Sequence, residues 1–174
     1  MSSINMISIV MFFLGLFTLV SANTIKFQNL DSQPREICWY PPQGYPAIHS
    51  SVIKPFDSIT VGLSGRQDDT FISGIGYQFH PINAGGGEAA CVQPTIVGEI
   101  TFQGYQGNTY YDISAVDNCC QNNGIHYFYP HNDASAPHSG CFNFPCGGVY
   151  IKPGDPQTKI TTWDTDMIVL LWNN

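Results

Sequence analysis

The sequence predicts an all-β protein, most simply a β-sandwich, and three observations support this class. Apolar and polar residues alternate over short runs, which is the pattern of half-buried strands. Glycine, proline, asparagine and aspartate separate these runs, as turn residues do in sandwiches. After the first 22 residues, no stretch repeats its apolar residues with the 3.6-residue period of a helix. The chain is therefore expected to bury its core between sheets.

The 174 residues suit one domain that follows a secretory signal peptide. The run from Met6 to Val20 carries no charge, and Ser21 and Ala22 place small residues before a cut at Asn23. A retained membrane anchor is the alternative, but the run is shorter than the about 20 residues of a membrane span. We expect residues 1–22 to be removed, leaving a single secreted domain of residues 23–174, extracellular or in a cell wall, with no membrane segment.

The strands and loops of this domain follow from the same alternation. Eight runs are predicted as strands, in chain order: Ile25 to Gln28, Ile37 to Tyr40, Ile59 to Leu63, Ile75 to Phe79, Glu99 to Gln103, Tyr110 to Ser114, Val149 to Ile151, and Ile160 to Trp172. Residues 83–88 are predicted to form a surface loop. Residues 118–148 hold four of the six cysteines and are predicted to form a short disulfide-pinned loop region outside the sandwich.

The stretch GEITFQGYQGNTYYDISAVDN, residues 98–118, predicts a hairpin that brings two carboxylates together. Counting outward from the turn pairs residue 101 with 110 and Glu99 with Asp112. Directly opposed like charges destabilise a sheet by about 0.2 to 1 kcal/mol. Two explanations stay open: a bulge shifts the register and both acids are solvated, or the acids form the floor of an acidic cleft, with Asp117 as a third carboxylate.

The cysteines and histidines favour disulfides over a metal site. All six cysteines follow the predicted cut, and an even number in an exported chain indicates disulfide bonds. Adjacent Cys119 and Cys120 are expected to bond to other cysteines, with Cys141 and Cys146 as candidates. Neither the cysteine spacing nor the histidine spacing reproduces a paired set of metal ligands. We therefore expect no metal and no cofactor, and solvated histidines in the 118–148 loop.

Net charge and aromatic content indicate the class of partner. The formal net charge of −7 comes from thirteen acids against six bases, so nucleic acid is not an expected partner, because its phosphates are bound by Lys and Arg. Aromatic residues make up 13% of the chain and charged residues 11%. This composition suits an uncharged, hydroxyl-rich polysaccharide, although aromatic residues also serve simply as core.

Several stretches resemble thaumatin-like proteins. Residues 98–118 resemble the family segment in which a Glu-containing strand, a Gly-Tyr-Gly turn and a Tyr-Asp-Ile/Val-Ser strand lead to a Val-Asp pair. LSGRQDDTF, residues 63–71, resembles the family's Ser-Gly-Arg segment, and CGGVYIKPGDPQT, residues 146–158, resembles its late cysteine segment. The pattern from Tyr127 to Thr158 is also similar to that of small secreted fungal members, including the Blastomyces yeast-phase antigen family and fungal proteins labelled as DNases.

The resemblance implies a thaumatin-like β-sandwich with a reduced disulfide-rich region and an acidic cleft of one arginine and four acids. In this chain they are Arg66, Glu99, Asp112, Asp117 and Asp155. Some members bind β-1,3-glucan and some are reported to hydrolyse it. Hydrolysis needs one protonated and one ionised carboxyl. We assign these roles to Glu99 as the acid and Asp112 as its ionised partner, with the reverse assignment left open, and Arg66, Asp117 and Asp155 as binding residues.

Three functions are compatible with these residues and resemblances. The first is a secreted, monomeric protein that binds β-glucan or a related cell-wall polysaccharide, with weak endo-β-1,3-glucanase activity as a further expectation. The second is a non-catalytic secreted antigen or effector, in which the acids form a solvated face or bind a cation. The third is a nuclease, which rests on the label of relatives and ranks last because the net charge opposes DNA binding.

Overall fold

A computed structural model describes residues 23–40, 43–45, 47–63, 76–84, 91, 96–116, 124–161 and 163–172. Several predictions lie outside these residues: the signal peptide, most of the 83–88 loop, Arg66, Asp117, Cys119 and Cys120. No helix in the described part of the chain is long and apolar enough to cross a membrane.

The described residues form eleven strands, and the all-β class is confirmed. They are β1 (Thr24–Asn29), β2 (Arg35–Tyr40), β3 (Ser51–Ile53), β4 (Ser58–Gly62), β5 (Tyr77–Asn83), β6 (Val97–Thr101), β7 (Thr109–Ser114), β8 (Ile125–Pro130), β9 (Ser139–Gly140), β10 (Lys159–Thr161) and β11 (Asp166–Leu171). Six of the predicted runs contain or overlap β1, β2, β4, β5, β6 and β7.

These strands form two sheets. Sheet A has the order β4-β1-β11-β8-β9, and sheet B has the order β10-β7-β6-β5-β2-β3. Strands β1 and β11 pair in parallel, whereas the other named strand pairs are antiparallel. Because strands near both ends of the described chain are neighbours in sheet A, closing this sheet requires contacts between residues 142 positions apart, such as Thr24 and Asp166.

An aromatic cluster fills the space between the sheets. Phe27 of sheet A packs edge-on against Phe79 of sheet B, with ring centroids 5.1 Å apart, and Trp39 contacts both rings. Phe128 lies 5.5 Å from Phe79 and 5.5 Å from Tyr111. Four of these five rings are fully buried and Trp39 is 8% exposed, so burial of their apolar area is a main source of stability.

Gly98 is required by this core. A Cβ atom at this position would lie 2.3 Å from Cζ of Phe79, which is far inside van der Waals contact. The paired residues Phe79 and Gly98 of β5 and β6 therefore fit only because one of them lacks a side chain. This close fit lies one residue before Glu99 and helps to hold that part of β6 against β5.

Three predictions about the second half of the chain were wrong. The segment 118–148 is not only a loop, because residues 125–130 form β8 and residues 139–140 form β9 of sheet A. The long strand predicted from Ile160 to Trp172 is two strands in different sheets, β10 in sheet B and β11 in sheet A. The run around Val149 contributes a bridge between Tyr150 and Ser114 instead of a full strand.

Two disulfides tie the described chain. Cys38 of β2 is bonded to Cys91, and Cys141 is bonded to Cys146. The expectation that Cys141 or Cys146 bonds to Cys119 or Cys120 was therefore wrong. The expectation passed over the pair that is nearer in sequence, since Cys141 and Cys146 are separated by five positions and close a short loop of their own.

The solvated state expected for the loop histidines was wrong for one of them. His126 lies in β8, is 1% exposed and stacks on Trp172 with ring centroids 3.8 Å apart. Its Nδ1 lies 3.1 Å from the carbonyl oxygen of Cys141. His131 and His138 are exposed, as expected, and His138 stacks on Tyr129 at 4.5 Å.

Candidate functional site

The β6-β7 hairpin has the register that was predicted from its turn. Thr101 pairs with Tyr110 and Glu99 pairs with Asp112, without a bulge. The turn is a short 3-10 segment, Tyr105–Gly107, in which the amide of Gly104 donates to the carbonyl of Asn108 at 2.8 Å. Gly107 has φ +77°, a conformation that favours glycine. Thus a local turn sets the pairing that brings the two acids together.

Asn23 and Gln103 hold this hairpin to the start of β1. The Asn23 amide nitrogen donates to the Gln103 side-chain oxygen at 2.9 Å, and the Gln103 amide nitrogen donates back to Asn23 at 2.6 Å. A reciprocal pair of amide hydrogen bonds satisfies one donor and one acceptor on each side chain. The end of the hairpin is thereby fixed relative to sheet A.

Four polar side chains form one row across sheet B. Tyr40 pairs with Gln78, Gln78 with Glu99, and Glu99 with Asp112, from β2 through β5 and β6 to β7. The alternate residues of these strands are buried in the core, so the four side chains face away from it. We call Tyr40, Gln78, Glu99 and Asp112 the polar row.

Asp112 is the most perturbed carboxyl in the row. It is 6% exposed, and its Oδ1 has no hydrogen-bond partner among the described residues. Burial, the nearby charge of Glu99 and a hydrogen bond with Glu99 together raise the pKa of Asp112 to about 8, although Lys159 opposes this rise. Asp112 is therefore mainly protonated at pH 7, and the explanation in which a bulge leaves both acids solvated is excluded.

Glu99 lies between two hydrogen-bond donors. It is half-buried, and its Oε1 accepts a short hydrogen bond from Nε2 of Gln78. Asp112 is hydrogen-bonded to it from the opposite strand. The two carboxyls thus act as one unit that shares a proton, instead of two independent surface charges.

Tyr40 forms one end of the polar row, and His80 lies beside it. The Tyr40 hydroxyl is 3.3 Å from His80 Nε2, and the two rings stack with centroids 5.1 Å apart. His80 is fully buried, and its Nδ1 has no hydrogen-bond partner within the part of the chain that the structure describes. Burial lowers the pKa of His80 to about 4. His80 is consequently neutral at pH 7. A cavity of about 230 Å³, lined by residues that include Tyr40, Ser50 and the Cys38–Cys91 disulfide, opens next to this end.

Asp155 occupies a turn between Tyr150 and β10. Its Oδ2 accepts hydrogen bonds from the backbone amides of Ile151 and Lys152, at 3.1 and 3.3 Å. These contacts give the carboxylate a turn-capping role. The structure therefore brings Glu99 and Asp112 into contact and assigns Asp155 hydrogen bonds within its own turn, whereas Arg66 and Asp117 lie outside the described residues.

Gln78, His80 and Tyr40 were not predicted as site residues from the sequence. Alternation in YQFHPIN places Gln78 and His80 on one face of β5, and this was the available signal. Their register opposite Glu99 and Cys38 depends on pairing across long connections, which alternation does not report. No group of three His, Cys, Asp or Glu side chains positioned to hold a metal ion occurs among the described residues.

Two packed β-sheets tied by disulfides form a thaumatin-like β-sandwich, and two solved structures share this fold. The protein elicitor MoHrip2 from Magnaporthe oryzae matches with a TM-score of 0.57 and 11% identity, over 86% of this chain and 98% of that chain. The thaumatin-like xylanase inhibitor TLXI matches with a TM-score of 0.51 and 12% identity, over 83% of this chain and 97% of that chain.

A curated relative shows the family. Antigenic protein SchS21 of Stachybotrys chartarum is 30% identical over 139 residues, which cover 79% of this chain and 87% of the relative. The chain belongs to the same family as this antigenic protein. No family model matches the chain.

Proposed function

We propose that this protein is a secreted thaumatin-like protein that binds β-1,3-glucan or a related cell-wall polysaccharide on the face of sheet B that carries the polar row. The hydrogen-bonded pair of Glu99 and Asp112 is the observation that carries the proposal. Sugar hydroxyls both donate and accept hydrogen bonds. The half-buried Glu99 carboxylate offers a charged acceptor, and the Gln78 amide beside it offers an acceptor oxygen and a second N–H donor in the same row.

Aromatic side chains next to the pair support a sugar ligand. Tyr110 lies two residues before Asp112 on the same face of β7, is half-buried, and donates its hydroxyl hydrogen to the Tyr105 carbonyl at 3.1 Å. Tyr105 is 75% exposed, and Ile160, the partner of Tyr110 in β10, is 44% exposed. The two tyrosine rings provide flat apolar area with a polar edge, which suits the faces of sugar rings.

The direct hydrogen bond between the two carboxyls favours binding over cleavage. Retaining glycosidases hold their two carboxyls about 5 to 5.5 Å apart, and inverting enzymes about 6.5 to 9.5 Å apart. Glu99 and Asp112 are instead hydrogen-bonded directly to each other, so in this arrangement neither a glycosidic bond nor a water lies between the two groups. Weak endo-glucanase activity would require the pair to separate when ligand enters, with Asp112 as the acid.

Charge and disulfides support the remaining parts of the proposal. The net charge of −7 is compatible with a neutral polysaccharide and opposes nucleic acid. Two disulfides among the described residues suit an oxidising extracellular compartment. The protein would act as a monomer outside the cell or in a cell wall, after removal of residues 1–22.

A retention assay on insoluble β-1,3-glucan tests this function. Wild-type protein should be retained, and Glu99→Gln should lose about tenfold or more in affinity, because the variant lacks the charged acceptor of the row. Asp57→Asn is the matched control, since Asp57 is an exposed turn acid that accepts the amide of Ser58. Equal retention of wild type and Glu99→Gln would refute the proposed site. New reducing ends made by wild type alone would establish catalysis.

A non-catalytic role as a secreted antigen or effector is the second candidate. The similarity of this chain to two proteins favours this candidate: a relative is named an antigenic protein, and a protein of the same fold is named an elicitor. Absence of retention on all tested wall polysaccharides, together with binding to a host surface protein, would favour this candidate.

A further inference from the structure

The Glu99 and Asp112 pair has a neighbour in the polar row that is not an acid. Gln78 lies directly opposite Glu99 on the β5 side, and Asp112 lies opposite it on the β7 side. Within the polar row, Glu99 therefore lies between Gln78 and Asp112, and each of these side chains reaches it from an adjacent strand. The amide nitrogen of Gln78 approaches Glu99 Oε1 as a donor, and this nitrogen has no lone pair to accept with.

The donor arrangement distinguishes the two carboxyls. One oxygen of Glu99 is occupied by the Gln78 donor, and a carboxylate gains more from a donated hydrogen bond than a neutral acid does. Asp112 has no comparable donor in the described part of the chain, where its Oδ1 is buried without a hydrogen-bond partner. With one proton shared by the pair, the chemically favoured arrangement keeps Glu99 as acceptor on both sides and has Asp112 donate its proton toward it.

We infer that Gln78 is a positioning residue of this site, which keeps Glu99 as the charged member of the pair and leaves the proton on Asp112. The assignment of proton positions concerns the chain itself, whereas its use in ligand recognition rests on the proposed polysaccharide function. In that use, Gln78 orients a charged acceptor toward sugar hydroxyls, and Asp112 remains a neutral donor behind it.

Other titratable and charged groups near the pair do not replace Gln78. Lys159 of β10 acts on Asp112 from the β7 side and favours its charged form. On the β5 side, His80 is buried and neutral at pH 7, because its pKa is lowered to about 4, and it interacts with Tyr40. Gln78 is the donor that reaches Glu99 from this side among the described residues.

Carboxyl-carbon NMR titration of the intact, disulfide-bonded protein tests the inference directly. The pair titrates in two steps that belong to it jointly, and the carbon shifts of Glu99 and Asp112 show which one carries the proton between the steps. In Gln78→Met, which keeps length and removes the donor, the lower step should rise by about one unit or more, roughly tenfold in proton affinity. Gln78→Leu is a second donor-free variant.

Two further variants make the test specific. Gln78→Lys restores a donor together with a positive charge and should return the lower step to its wild-type position or below it. Gln28→Met is the matched control, because Gln28 is a half-buried strand glutamine in sheet A, and it should leave both steps unchanged. The inference is overturned if donor-free variants leave both steps in place, or if the wild-type proton resides on Glu99.

Glucan retention of the same variants separates this inference from the proposed function. If wild type is retained and Gln78→Met loses retention together with the NMR change, both stand. If the NMR change appears while wild type shows no retention, the positioning role stands and the polysaccharide function fails. If wild type is retained and the titration of Gln78→Met is unchanged, the positioning role fails alone.

Discussion

Replacing Asp112 with asparagine should remove a pH dependence of stability that the carboxyl pair builds into the fold. The asparagine side chain would keep the shape of the protonated acid, and its amide can donate to Glu99 as the acid does. The change thus preserves the hydrogen bond and removes only the proton equilibrium. Substitution of a buried side chain normally lowers the free energy of unfolding, so an increase at neutral pH would be a distinctive result.

The sign and size of the effect follow from the raised pKa of Asp112. Its pKa is 3.8 when unperturbed and about 8 in the fold, so between these values the folded state binds one proton that the unfolded state has released. The free energy of unfolding then falls by about 1.4 kcal/mol per pH unit as pH rises through this window, and the loss is complete above the folded pKa. From pH 5 to pH 7 the Asp112 contribution falls by roughly 3 kcal/mol.

His80 acts in the opposite direction over part of this range. Its pKa is lowered from 6.5 to about 4 in the fold, so the unfolded state binds the extra proton and stability rises with pH between about 4 and 6.5. The two contributions offset each other in wild type below pH 6.5. The difference between wild type and Asp112→Asn removes the His80 contribution, because it is common to both proteins.

Urea denaturation at half-unit steps from pH 4.5 to pH 9, with disulfides intact, measures this difference. The advantage of Asp112→Asn over wild type should grow by about 1.4 kcal/mol per unit up to about pH 8 and then level off. Glu99→Gln should bring the plateau to lower pH, since it removes the charge and hydrogen bond of Glu99 but leaves Asp112 buried. Parallel stability curves for wild type and Asp112→Asn would refute the proton assignment.

Two further predictions concern the framework of the site. Gly98→Ala should destabilise the fold by about 3 kcal/mol in urea denaturation, because its Cβ would overlap the Phe79 ring. Gly62→Ala is the control, since a Cβ there has open space, and it should change stability by under about 1 kcal/mol. Equal effects of the two substitutions would contradict the packing argument. Removing the Cys38–Cys91 disulfide, which closes a loop of 53 positions, should lower the free energy of unfolding by about 4 kcal/mol. Removing Cys141–Cys146, which closes a loop of 5 positions, should lower it by about 2 kcal/mol. Thermal unfolding measures both losses, and the reverse order would contradict the loop argument.

The hairpin and its acids were predictable because the information that sets them is local. A glycine-rich turn between two alternating runs determines which residues face each other, and Glu99 and Asp112 were paired correctly by counting from residues 104–107. Burial parity was also predictable, since Ile100 and Tyr111 face the core as their alternation indicates. The same local reasoning failed at Ile160 to Trp172, where one apolar run is divided between two sheets.

Composition, alternation and turn residues were sufficient to specify an all-β chain with a pair of opposed carboxyls, because each of these signals acts over a few neighbouring residues. The placement of Gln78 beside Glu99, the burial of Asp112 that keeps it protonated, and the entry of residues 125–130 into sheet A came only from the folded chain. These features depend on strands that are distant in sequence and on the removal of water from a carboxyl group. Neither the pairing of distant strands nor the loss of water from a carboxyl group is determined by a short stretch of sequence, since both arise when the two sheets close on each other.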